Sequence, residues 1–172
     1  MRNLYICVLV AVSLAFCSCS NNSVDVQKTF FTAQIGDRID VAMNNISTYT
    51  SETAYSIPQG GYSFGNIVFG GMQWESMMIE EDAGGYFSGV FFCSYGYLDY
   101  SKACADQQVL VAELSKKYPM SDTDLWKNHY FYADKSNFEV STSIGRHDGV
   151  YLIELQYHNP YTPISNKVNS DL

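Results

Sequence analysis

The side chains able to do chemistry in this chain are its histidines, cysteines, serines and acids, and their spacing suits little of it. His129, His147 and His158 are the only histidines. None lies in a His-Glu-x-x-His pattern or beside a second ligand at helical spacing, so no zinc site is expected. His147 sits between Arg146 and Asp148 and reads as a solvated turn residue, while His129, ahead of Tyr130-Phe131-Tyr132, reads as structural. No Gly-x-Ser-x-Gly elbow offers a serine nucleophile. Glu80-Glu81-Asp82 could bind calcium or supply half of a carboxylate pair, but its place at a hairpin tip favours a solvated turn. The glycine-rich run GGYSFGNIVFGG lacks the Lys-Ser/Thr pair that grips phosphate. An enzyme would need a pocket gathering His129 with Glu139 or Glu75. The expectation is a protein that is not an enzyme, with no catalytic residue, no metal and no cofactor.

Cys93 and Cys104 are the thiols of the folded part. In an oxidising compartment an isolated pair suits a disulfide, here stapling a strand to the following helix, with buried free thiols as the other outcome. The chain is also rich in aromatics, at 15% with 14 tyrosines, and this is the material of recognition surfaces. Tyr49, Tyr55, Tyr62 and Phe64 crowd one loop, and Tyr95, Tyr97 and Tyr100 crowd the approach to the second helix. With Trp74 and Trp126 as residues able to stack on sugar rings, they are the binding candidates; the alternative is that these rings cover the core.

The start of the chain carries an address. Met1-Arg2-Asn3 is short and basic, and Leu4 to Phe16 is an apolar run of signal-peptide length, below the ~20 residues of a spanning helix. Phe16-Cys17-Ser18-Cys19, followed by polar residues, resembles the lipobox of bacterial lipoproteins, most nearly those of the Bacteroidetes group. The resemblance implies removal of residues 1–18, lipid on Cys19, a tether over 19–29 and an outer-membrane location in the cell envelope. Leu14-Ala15-Phe16-Cys17 is the competing frame, and an ordinary secretory signal cut after Ser18 is the plain alternative. A net charge of −8 excludes nucleic acid and electrostatic docking on anionic lipid, leaving the membrane contact to the anchor.

The rest of the chain predicts one α+β domain over 30–160, with a tail at 161–172. Ile39, Ala42, Met43 and Ile46 share a helical face, with Asp37 as the expected cap and Asp40 three residues later. Residues 48–65 read as a long loop. Strands follow at Asn66–Phe69, Met72–Glu80 and Tyr86–Tyr95, with turns at Gly70-Gly71 and at 81–85. A helix from a Ser101 cap buries Leu110, Val111, Leu114 and Tyr118 and stops at Pro119. Strands at His129–Ala133, Phe138–Ile144 and Val150–Tyr157 complete the pattern.

Helix plus three strands therefore occurs twice, at about 30–95 and 96–160. Two such units, each with one bare sheet face, join most simply as one continuous antiparallel sheet with both helices packed on one face. This order, opened by IGDRIDVAMNNI, resembles the tandem build of the β-lactamase inhibitor protein fold, also used by the small lipoprotein of the outer-membrane barrel-assembly machinery. The resemblance implies a protein partner in the envelope. A glycan or small ligand stacked on Trp and Tyr rings is the second expectation.

Overall fold

The computed structural model describes residues 26–50, 52–58, 60–118, 120–123, 129–133 and 138–158. Cys17, Cys19, Trp126, Pro119 and the 161–172 tail lie outside the described residues. In chain order the elements are β1 Thr29–Phe30, β2 Ala33–Gln34, α1 Ile39–Ser47, β3 Tyr55–Ser56, β4 Gly61–Phe69, β5 Met72–Glu81, β6 Phe87–Cys93, α2 Tyr100–Lys117, β7 Met120–Thr123, β8 His129–Ala133, β9 Phe138–His147 and β10 Val150–His158. β1 and β2 form a small hairpin. The others form one antiparallel eight-stranded sheet in the order β3-β4-β5-β6-β10-β9-β8-β7.

That order is a mirror image about its centre. Each half is a helix followed by four strands, and the last strand of each half pairs with the last of the other. The short edge strands β3 and β7 make each unit one strand longer than the three-stranded repeat expected. β3 has only two residues, too few to show a period. The region expected as a long loop over 48–65 also contains the first half of β4, whose Gly61-Tyr62-Ser63-Phe64-Gly65 start is poor in the β-branched residues that mark strands.

Local chemistry sets the turns. Phe69 pairs with Met72 and His147 with Val150, so Gly70-Gly71 and Asp148-Gly149 are two-residue hairpin loops. All four residues have positive φ, between 48° and 86°, as the primed turn that suits strand twist demands. At the third turn the Asp82 carboxylate accepts from the Gly84 and Tyr86 amides at 2.8 and 2.9 Å. The caps differ from expectation. Asp99, not Ser101, caps α2 by accepting from the Ser101 amide at 2.7 Å. Asp37 turns away from α1 and accepts from the Gln34 amide at 2.8 Å; the start of α1 is held instead by the Ile39 amide donating to the Gly85 carbonyl.

Both helices pack on the same sheet face. α1 buries Ile39, Ala42 and Ile46, and α2 buries Ala103, Gln107, Leu110, Val111 and Leu114. One core joins them to Phe64, Ile67, Trp74, Met77, Phe92, Val140, Ile153 and Leu155. Its centre is aromatic: Phe92 stacks on Phe69 at 4.5 Å and tilts toward Trp74 at 5.5 Å and Phe30 at 6.4 Å.

Phe64 and Ile67 are three residues apart, which in a regular strand points them to opposite faces, yet both are buried, as are their cross-strand partners Met77 and Trp74. Asn66 resolves this by adopting a left-handed conformation with φ 49°, a state asparagine tolerates better than most residues. The strand changes phase there, and the core continues along β4 and β5 on both sides of the break.

Phe92→Ala is expected to destabilise the fold by about 3–5 kcal/mol, whereas Val68→Ala, at an exposed position in β4, should change stability by less than about 0.5 kcal/mol. Urea unfolding followed by circular dichroism measures both.

Candidate functional site

The sheet face away from the helices carries the polar side chains, and register arranges them in rows. One row runs Ser143 of β9, Glu154 of β10, Cys93 of β6, Ser76 of β5 and Gly65 of β4. Another runs Glu139, His158, Gly89, Glu80 and Gly61 across the same strands. At the β4 end of the first row this face opens into a groove of about 520 Å³, walled by Glu52, Tyr55, Asn66, Glu75, Cys93 and Tyr95, with His147 at its rim.

The groove wall is tied together by side chains. The Tyr95 hydroxyl donates to the Asn66 amide oxygen, and the Asn66 amide nitrogen donates to a Glu52 carboxylate oxygen. These bonds link the end of β6, the phase break of β4 and the segment before β3. Glu52 lies over Gly65, where a Cβ would fall 1.9 Å from its carboxylate, so only glycine lets it sit there. Thr50 orders the same segment by donating to the Gly65 carbonyl at 3.3 Å and accepting from the Glu52 amide at 3.1 Å. Deeper in the row, the Ser143 hydroxyl donates to Glu154 at 2.7 Å.

Burial pushes the Cys93 thiol up to about 11, and the Glu154 and Glu75 carboxylates add to the shift by opposing a second negative charge. Such a thiol stays protonated at neutral pH, and since the thiolate is the nucleophile, Cys93 is poorly suited to covalent catalysis. Along the other row, burial raises the Glu80 carboxyl above its ordinary value, with His158 pulling the other way.

The expected disulfide is not formed; Cys93 and Cys104 are both free. The register explains it. Cys93 faces the groove on the helix-free side, whereas Cys104 belongs to α2 on the opposite side of the sheet.

The aromatic candidates divide. Tyr55 and Tyr95 line the groove and are 60% and 44% exposed. Phe64 and Trp74 are core residues with no exposed surface, and the Trp74 indole donates to the Phe69 carbonyl at 3.1 Å, so neither serves as a binding residue. Tyr62 packs against the core. Tyr49 is exposed beside Phe31, its ring 5.3 Å away and outside the groove. Tyr97 pairs its backbone with Tyr151 at 2.8 Å in both directions; burial and its hydrogen bond to Asp106 push its phenol up to about 12. Tyr100 opens α2 with its ring 5.1 Å from Tyr151.

Glu75 and Glu139 are not brought together. They occupy different positions along strands that are three apart in the sheet, so the two do not form a carboxylate pair; the side chain of His129 lies outside the described residues. Glu52 and Asn66 line the groove without any expectation of a role, and Cys93, expected in a disulfide, lines it as a free thiol. The Gly65-Asn66 dipeptide, a signal for positive φ, was the one available pointer.

Among the described residues no helix is long and apolar enough to cross a membrane. Comparison with known protein families, with curated proteins and with solved structures returns no match.

The position of Cys93 has a chemical readout. With Cys7, Cys17, Cys19 and Cys104 replaced by serine, alkylation of Cys93 by iodoacetamide should be slow at pH 8 and climb with an inflection near 11, because the raised value keeps the thiol protonated through neutrality. Glu75→Gln should move the inflection down. An inflection at the ordinary thiol value of 9.0 would mean the site is neither desolvated nor negative.

Proposed function

We propose that the protein is a lipid-anchored binding module of the cell envelope, without catalytic activity, that holds a protein partner in the groove on the helix-free face of its sheet. The observation that carries this reading is the groove itself. It is open, its walls are fixed by the Tyr95–Asn66–Glu52 hydrogen bonds, and it presents exposed tyrosines beside polar groups. Preorganised walls lower the ordering cost that binding must meet, and tyrosine supplies contact area with little side-chain entropy to lose. The protonated Cys93 thiol supports a role in binding over one in thiol catalysis. The lipobox-like segment ending at Cys19 supports the anchor, with the outer membrane as the proposed location. The glycan alternative is weakened, since Trp74, one of its two stacking tryptophans, is consumed by the core.

Photocrosslinking in cells tests the reading. A benzoylphenylalanine at Tyr95 of the full-length protein should capture one envelope protein reproducibly, and the same group at Tyr49, equally accessible but outside the groove, should not. Cys19→Ala should release the protein from the membrane fraction and abolish capture. Equal capture from both tyrosines, or none from Tyr95, would contradict a partner site in the groove.

A further inference from the structure

Charge on the helix-free face is one-sided. The acids there are Glu52 and Glu75 in the groove, Glu154 next to Cys93, and, beyond an intervening row of Met78, Phe91 and Gln156, the half-buried Glu80 and buried Glu139. His147 at the groove's rim, paired with Asp148, and His158 beside Glu80 are the histidines on this face, and the lysines and arginines of the described residues all stand elsewhere. Lys28 lies over the core-facing Phe138 ring, Arg38 immediately precedes α1, Lys102, Lys116 and Lys117 belong to α2, and Arg146 lies over Tyr151 near the start of α2. The ion pairs among the described residues join Arg38 to Asp40, Lys116 to Glu113 and His147 to Asp148, so none neutralises the groove. Asn66 gives Glu52 a neutral hydrogen bond, which orients the carboxylate and leaves its charge in place.

We infer that the groove takes a basic segment of the partner protein, seating an arginine or lysine side chain among Tyr55, Tyr95, Glu52 and Glu75. This rests on the groove being the partner site. Two independent features of its wall suit a cation. Carboxylates attract it and can accept a guanidinium's paired donors, and tyrosine ring faces attract it through their quadrupole. The protein uses the second contact elsewhere on its own surface, with Arg38 over Tyr86 at 5.9 Å and Arg146 over Tyr151 at 5.7 Å. The field of the wall is felt inside the site, since Glu154 and Glu75 both oppose ionisation of Cys93. An acidic or phosphorylated segment would meet uncompensated like charge. The one-sided face also steers a basic partner toward the groove before contact, making association sensitive to salt.

Calorimetric titration of the full mature lipoprotein in neutral detergent tests the ligand class with three peptides of equal length: repeating Gly-Arg, repeating Gly-citrulline and repeating Gly-Glu. The Gly-Arg peptide should bind, and the citrulline peptide, which keeps the shape and loses the charge, should bind at least about tenfold more weakly. Glu52→Gln with Glu75→Gln should weaken Gly-Arg binding by about tenfold, added salt should do the same, and Glu113→Gln on α2 should change nothing. Equal affinity for the arginine and citrulline peptides, an unchanged affinity in the double variant, or competition by a neutral maltooligosaccharide would overturn the inference. Those results would leave capture from Tyr95 standing, which separates a wrong ligand class from a wrong site.

Discussion

The pairing of β6 with β10 is the constraint on which the rest depends. Glu154 to His158 run antiparallel to Gly89–Cys93, and this seam joins the two helix-plus-four-strand halves into one sheet. Each half alone would have an unpaired strand edge at what is now the centre, and such an edge invites pairing with other chains. The seam also fixes which side each residue takes. Val90 and Phe92 fall beside Tyr157 and Leu155 on the helix side, where they enter the core. Cys93 and Glu154 fall together on the other side. A slip of one residue would exchange the two sets and place a carboxylate in the core.

From that seam the two faces acquire different work. The helix side stabilises the fold through burial, with the Phe92, Phe69 and Trp74 rings at its centre. The other side is relieved of that role along the groove, where it holds acids, tyrosines and an amide in exposed positions. Asn66 is where the two meet. Its left-handed backbone keeps Phe64 and Ile67 both inside, and the same residue turns its side chain to Tyr95 and Glu52. A single local conformation thus serves the core on one side of the strand and braces the groove on the other.

Much of the fold was legible because it is written in local chemistry. The α2 pattern of Leu110, Val111 and Leu114 and the Gly70-Gly71 turn both follow from short-range rules. The expectation of one antiparallel sheet with both helices on one face holds, since two repeated units with one bare face have few other ways to close. What escaped was set by tertiary context. β3 is too short to show a period, and the first half of β4 is masked by glycine and serine. Both caps moved by two positions at most, since Asp99 reaches the Ser101 amide and Asp37 is drawn to the β1–β2 hairpin. The site was legible only in its aromatics: Tyr55 and Tyr95 lie where a recognition surface would put them. Trp74 and Phe64 were misread because their burial depends on the phase change at Asn66. The Cys93–Cys104 bridge failed because the face taken by a strand cysteine is decided by register across the sheet.

Hydroxyl-radical footprinting of the lipoprotein in intact cells, compared with the purified protein, tests most directly whether the groove is the working face. Tyr55 and Tyr95 in the groove and Tyr49 and Tyr86 outside it are all substantially exposed, between 43% and 60%, so each pair controls for the other. Oxidation of Tyr55 and Tyr95 should drop in cells while that of Tyr49 and Tyr86 is unchanged. Protection confined to Tyr49 and Tyr86, or unchanged oxidation of all four, would contradict it.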